Sequence, residues 1–276
     1  MKITVLAENT SVREGVKCGH GLSLFIETAA HKILFDFGPD GDMLRGNAAA
    51  LGVDLGSADI AVLSHGHNDH SGGLAAFFED NGKAKLYVHR RAALPHYANA
   101  GGGYNDISAD KALLENYADR IVWTEGVYDI DGTLTLFSDV ALDMPLFATN
   151  RTLFELRGGE YVTDGFEHEQ DLIIREDGKL VLIGGCAHRG IVNIALRAAE
   201  IAGRAPDAVF AGFHMNNPGL KEDEPESVVA EAGRRLSALP CRYYTGHCTG
   251  AGPFELLRGV LGPRIAYMGG GGVFEL

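Results

Sequence analysis

The chain has 276 residues, of which 46% are hydrophobic and 22% charged, with a formal net charge of −13. This is an ordinary globular balance with enough length to bury a large core, and we expect one domain over residues 1–276. The acidic charge argues against a nucleic-acid partner, because phosphate backbones are gripped by clustered Lys and Arg and no basic run is present.

The remaining exclusions are local. No stretch approaches the ~20 apolar residues of a membrane helix, so no membrane association is expected. Met1-Lys2-Ile3-Thr4-Val5-Leu6 enters a strand pattern without the longer apolar region and cleavage site of a secretory leader. Cys18, Cys186, Cys241 and Cys248 show neither zinc-finger spacing nor disulfide-scaffold density. The expectation is a reduced cytoplasmic protein.

In chain order, residues 3–7, 22–27 and 32–36 read as strands, and 42–51 as a helix. The continuous apolar run Ile60-Ala61-Val62-Leu63 reads as a buried strand. Gly72-Gly73-Leu74 with Phe77 and Phe78 opens a helix, and 85–89 is another strand. From about Arg90 to Asp119 the pattern is irregular and includes Gly101-Gly102-Gly103-Tyr104, either a binding loop or a variable insertion. The second half alternates: strands at 172–175 and 180–184 around an Asp177-Gly178 turn, helix 190–202, strand 207–211, helix 225–238, strand 241–245, helix 253–261 and a last strand near 264–268.

Between strand 60–63 and the following helix lies Ser64-His65-Gly66-His67-Asn68-Asp69-His70-Ser71-Gly72-Gly73. It packs three imidazoles and a carboxylate into six residues, with Gly66 placed to let the backbone turn. Imidazole nitrogen and carboxylate oxygen suit divalent zinc, iron or manganese, and donors at this density can hold more than one ion.

His65-x-His67-x-Asp69-His70 after an apolar strand resembles the signature of the metallo-β-lactamase superfamily. Leu34-Phe35-Asp36-Phe37-Gly38 resembles that family's Leu-x-Asp-Thr-Gly turn, whose Asp supports the metal loop rather than binding the ion. The resemblance implies a four-layer αβ/βα fold, two packed mixed sheets with helices outside. It also implies a site for two divalent ions, zinc first with manganese and iron as alternatives, in which His65, His67, Asp69 and His70 are ligands.

Such a site needs roughly two more ligands from strand ends elsewhere. His168, His188, His214 and His247 are the candidates, each near a strand terminus. By the superfamily pattern His247 takes the last ligand position. The position of the usual bridging Asp carries Gly185-Cys186 instead, with His188 two residues on. Cys186 is either a thiolate ligand or a small apolar residue. Gly-Cys-Ala-His-Arg-Gly-Ile-Val-Asn (185–193), Gly-Phe-His (212–214) and His-Cys-Thr-Gly (247–250) resemble one subgroup. That subgroup is named for a dihydropterin-methyl ribofuranosylaminobenzene phosphate synthase. Its Cys-x-His element favours His188 as a ligand. His168 sits where the ordinary third ligand would lie, or in a solvated acidic loop, and His214 is assigned to the pocket wall with a catalytic role.

Two ions a few ångströms apart would share a water and lower its pKa, giving a bridging hydroxide nucleophile that Asp69 helps to orient. The first expectation is therefore a metal-dependent hydrolase of a small anionic ester or phosphodiester. The alternative is a metal-dependent transferase of the synthase type, and a third class is a non-enzymatic metal sensor. Arg189 and Arg151 are candidates for gripping the anion. The partner is a small molecule, and an oligomer is compatible with the sequence.

Overall fold

Continuous apolar runs bounded by Gly and Asp become buried strands here, and the computed structural model describes all 276 residues. The chain divides into two compact units, the first comprising Met1–Tyr97, Asp106–Thr124 and Met268–Leu276, and the second Ala98–Asn105 and Glu125–Tyr267.

The first unit is built on a seven-stranded mixed sheet. Its order is Val273–Glu275, Lys2–Ala7, Ser23–Glu27, Lys32–Phe35, Ile60–Leu63, Lys85–His89 and Ile121–Thr124. The first four strands are antiparallel neighbours. The last four run parallel from Lys32–Phe35 onward. Parallel strands are covered on both faces, which is why all four residues of Ile60–Leu63 are buried and why the run does not alternate. The helix Gly41–Leu51 begins where Asp40 caps the Met43 N–H and ends at Gly52 in the left-handed conformation. With Leu74–Asp80 it contributes Leu44, Ala48, Leu74, Phe77 and Phe78 to the unit's core. Burying a side chain the size of Phe77 contributes about 1.5–3 kcal/mol.

The second unit repeats the plan with its own sheet of seven strands. Ile265–Tyr267, Arg242–Gly246, Ala208–Gly212 and Lys179–Ile183 are parallel. Asp171–Glu176, Leu134–Phe137 and Val127–Asp129 continue it antiparallel. The turn between Glu176 and Lys179 has left-handed φ at both Asp177 (50°) and Gly178 (77°), the backbone that an Asp-Gly hairpin adopts. Helix Ile191–Ala202 buries Ile191, Val192, Ile194, Ala195 and Ala198, one face at helical spacing. Glu226–Ser237 and Ala251–Leu261 complete a separate core around Tyr243, Phe213 and Leu257.

Three features escaped the sequence reading. Leu134–Phe137 is a fully buried strand. Leu153–Arg157 and Glu160–Thr163 form a hairpin. Val273–Glu275 pairs with Lys2–Thr4 across almost the whole chain length. The irregular stretch after Arg90 contains a 3-10 turn at Arg90–Ala93 and a helix at Lys111–Asn116. No helix is long and apolar enough to cross a membrane.

Candidate metal centre

In the first unit the carboxyl ends of the parallel strands carry the polar cluster, where open parallel sheets place their ligands. Strand Ile60–Leu63 delivers Ser64 and His65, and a short helix Asn68–Ser71, begun by His67, delivers Asp69 and His70. Gly66 is required by crowding rather than by an unusual φ. A Cβ there would lie 2.5 Å from the Ala92 carbonyl oxygen and 2.8 Å from the His96 ring.

One buried carboxylate organises this loop. Asp36, just past strand Lys32–Phe35, turns with a φ of 58°. Its Oδ1 accepts the Ser64 N–H at 2.7 Å, while Oδ2 accepts the Ser64 hydroxyl at 2.8 Å and His70 Nδ1–H at 2.6 Å. Because the Ser64 hydroxyl is donated to Asp36, its oxygen takes the Nδ1 proton of His65 at 2.8 Å. Both rings are thereby anchored through Nδ1, and an imidazole held in that way coordinates through Nε2. The His65 and His67 rings lie 4.5 Å apart, and those of His65 and His70 4.2 Å apart. His70 Nε2 and Asp69 Oδ2 are separated by 3.7 Å. That is too long for a hydrogen bond and close to the about 3.4 Å between two donors on a tetrahedral ion with ~2.1 Å bonds. Asp69, partly exposed, also meets His20 at 3.3 Å.

The second unit prepares another set of donors. After strand Lys179–Ile183 the chain passes Cys186 and turns at Ala187, whose φ is 55°. Glu169 holds the turn by accepting the N–H groups of His188 at 2.7 Å and Arg189 at 2.8 Å. Complete burial pushes the Glu169 carboxyl up to about 7, against the pull of those two backbone donors. Asn150 fixes the His188 ring. Its Nδ2 donates to the His188 carbonyl at 2.9 Å, so its Oδ1 faces Nδ1 at 2.9 Å and must receive a proton there. Phe166 stacks on the same ring at 4.4 Å and 5°. His188 is thus a third imidazole anchored through Nδ1.

His214 ends strand Ala208–Gly212 through Phe213, and its ring centre lies 4.1 Å from that of His188. The Cys186 thiol and one nitrogen from each of His188 and His214 fall within 4.8 Å of one another. The Cys248 thiol donates to the Cys186 carbonyl at 3.5 Å. Burial pushes the Cys248 thiol up, but the Cys186 thiol and the imidazoles of His247 and His214 outweigh it and hold the group well below its ordinary range. His247 follows strand Arg242–Gly246, is buried and has a φ of 51°. His168 is buried rather than solvated, and its Nε2 meets Asp164 Oδ2 at 3.1 Å.

The two arginines expected at an anion are engaged otherwise. Arg189 donates to the carbonyls of Gly165, at 2.7 Å, and of Val140. Arg151 is exposed and pairs with Glu222. Four residues that matter here were not picked out in the sequence. Asn150, Glu169 and Cys248 are described above, and the His96 ring lies 5.7 Å from that of His67.

The donor chemistry fits divalent ions. Buried neutral imidazoles oriented by a carboxylate, a hydroxyl and an amide, with a carboxylate and a thiol nearby, are the ligand types zinc and iron accept. The comparisons point the same way. Residues 16–189 match the family model described as the metallo-beta-lactamase superfamily. A 7,8-dihydropterin-6-methyl-4-(beta-D-ribofuranosyl)-aminobenzene-5'-phosphate synthase of Methanocaldococcus jannaschii is 29% identical over 248 residues, 84% of this chain and 81% of that protein. An uncharacterized protein of the same organism is 32% identical over 77% of this chain and 79% of its own length. Among solved structures, a metal-dependent hydrolase of the beta-lactamase superfamily superposes with a TM-score of 0.83 at 27% identity, covering 100% of this chain and 99% of that one. Zn(2+)-bound PqqB from Methylobacterium extorquens, with a TM-score of 0.58 at 15% identity and 100% coverage of both chains, shares the fold. The mixed α/β architecture and the matched segment, which carries the whole His65–His70 loop, place this chain in the metallo-beta-lactamase superfamily.

Proposed function

We propose that this protein is a metal-dependent hydrolase of a small anionic ester or phosphodiester. The observation that carries the reading is the anchoring of His65, His70 and His188 through Nδ1 by Ser64, Asp36 and Asn150, in each case at 2.9 Å or less. A core histidine needs no such uniform arrangement, whereas a ligand needs its tautomer and ring plane fixed. The proposed ligands are His65, His67, Asp69 and His70 from the first unit and His188 and His247 from the second, in keeping with the superfamily pattern. Two divalent ions, when bound, supply Lewis acidity and lower the pKa of coordinated water.

The chain's own residues do the rest. Asp36 and Ser64 keep the proton on Nδ1 of His70 and His65, so that the coordinating nitrogens stay unprotonated. Glu169 fixes the Ala187 turn and with it the direction of His188. Asp69, at the solvent-facing side of its loop, is placed to take or return a proton on an attacking water. His214, buried beside His188, lines the pocket wall.

A second reading, a transferase of the synthase type, draws support from the relative that is 29% identical over 84% of this chain. One experiment separates the two. Metal-loaded protein is offered chromogenic phosphodiesters and carboxylic esters, and, in parallel, a reduced pterin followed by its fluorescence. Turnover dependent on zinc, manganese or iron supports the hydrolase. Pterin binding without turnover supports the transferase. Elemental analysis that finds no metal after reconstitution overturns both.

A further inference from the structure

We propose that the second unit contributes a thiolate–imidazole metal site of its own, in which Cys186 Sγ, His188 and His214 bind one ion. The proposal rests on the reading of the protein as a metalloenzyme and deepens it, by moving His214 from the pocket wall to the metal and by giving the ion a sulfur ligand.

Three observations converge on it. First, Cys186 Sγ and one ring nitrogen each of His188 and His214 lie within 4.8 Å of one another, all on buried residues, so one ion reaches all three with little adjustment. Second, the His214 ring is buried, and neither of its nitrogens meets a hydrogen-bonding nitrogen or oxygen. An imidazole kept from water and given no such partner costs about 1–3 kcal/mol unless something else satisfies it. Third, the backbone around these side chains is held from several directions. Thr149 donates its hydroxyl to the His214 carbonyl at 2.6 Å, and Phe213 N–H donates to Thr249 Oγ1 at 3.0 Å. Glu169 clamps the His188 turn from the other side. Cys248 donates its thiol to the Cys186 carbonyl, which identifies Cys186 as the ligand and Cys248 as a positioning residue.

The bonding step balances simply. The Cys186 S–H bond breaks, its proton leaves to solvent, and the sulfur lone pair forms the bond to the ion, while the two imidazoles bind as neutral groups. Thiolate softness then selects zinc, iron or cobalt over manganese and magnesium.

The test uses the full chain reconstituted with Co(II), followed by absorption spectroscopy. A thiolate-to-cobalt charge-transfer band in the near ultraviolet is expected. It should vanish in Cys186→Ser and persist in Cys248→Ser. His214→Ala should weaken cobalt binding at least tenfold, with folding of each variant checked by circular dichroism. Cobalt bound with only nitrogen–oxygen ligand-field bands overturns this proposal and leaves the metalloenzyme reading standing. A band that survives Cys186→Ser, or undiminished cobalt affinity in His214→Ala, overturns the ligand assignment. Wild-type protein that takes up no cobalt overturns the metalloenzyme reading and this proposal with it.

Discussion

Replacing Asp36 with Asn isolates what one buried carboxylate does for the metal loop. The backbone of Asp36 is left-handed, with φ at 58°, a conformation that Asn tolerates nearly as well as Asp. The substitution therefore changes chemistry without adding backbone strain, as Asp36→Ala would. Asn keeps one oxygen to accept the Ser64 N–H, but turns an NH2 toward the Ser64 hydroxyl and His70 Nδ1, groups that now donate to Oδ2 at 2.8 and 2.6 Å. His70 can accept from that NH2 only by moving its proton to Nε2, the nitrogen that should coordinate. Ser64 loses the acceptor for its hydroxyl, and His65, hydrogen-bonded to Ser64 at 2.8 Å, loses its anchor with it. Removal of such an outer partner costs about 10–100-fold in metal affinity, or about 1.4–2.7 kcal/mol. The lost hydrogen bond to a charged group also costs the metal-free protein about 1.5–3 kcal/mol of stability. Competition against a chromophoric chelator reads the first quantity, and denaturant unfolding of the stripped protein reads the second. Asp36→Asn with zinc affinity within twofold of wild type would refute the argument that Nδ1 anchoring orients the ligands.

Three further outcomes follow from other parts of the molecule. A Cβ on Gly72 would sit 1.9 Å from the Pro39 carbonyl oxygen, so Gly72→Ala should lower stability by about 1–3 kcal/mol and shift the denaturation midpoint down; an unchanged midpoint would mean the loop moves freely. Cys18 is exposed and should alkylate readily at pH 8, whereas burial pushes the Cys241 thiol up to about 12 and should keep it inert until unfolding. Because folding holds Cys241 protonated, that group contributes stability below its unfolded value of 9.0 and loses it as pH rises toward 12. Glu169 is raised from 4.5 to about 7 by burial, so the folded chain binds its proton more tightly than the unfolded one. Metal-free protein should therefore lose stability as pH rises through that window, on the order of 3 kcal/mol, and Glu169→Gln should flatten the slope. Identical pH slopes in the two proteins would remove Glu169 as the source.

The parts of the site that were legible in the sequence are those the chain brings together locally. The His65–His70 loop has donors two, two and one residue apart on a strand-to-helix turn, so its metal character survives without knowledge of tertiary contacts. Asn150 faces His188 from 38 residues away, and no periodicity marks an Asn whose importance is its amide orientation. Glu169 looked like one half of a solvated acidic loop with Glu167, yet it is 3% exposed and spends both oxygens on backbone donors. The sheet edges show the same limit. Val273–Glu275 is a short run whose partner lies at the other terminus, so only tertiary pairing makes it a strand. By contrast Leu153–Arg157 and Glu160–Thr163, joined at Gly158-Gly159, carried a readable hairpin signal that the sequence reading passed over.

The backbone supplies an argument that the side-chain inventory does not. Eight residues other than glycine adopt positive φ: Asp36, Asp139, Phe166, Asp177, Ala187, His214, Lys221 and His247. Asp177 belongs to a hairpin turn that wants this conformation, but Ala187, His214 and His247 have no such excuse, each sitting just after a parallel strand of one sheet. An L-residue held there costs about 1–2 kcal/mol, and glycine would remove the cost. Glycine is plentiful in the chain, at 37 residues, yet it is not used at two of these turns because histidine is there instead. Strain of this kind persists where the surrounding structure over-determines it and where the side chain is needed. At Ala187 the strained turn sits between Cys186 and His188 and brings their donor atoms toward the same point as that of His214. The three turns thus share one geometric consequence, the exposure of strand-end donors to a common centre, and that consequence is what a bound ion would exploit.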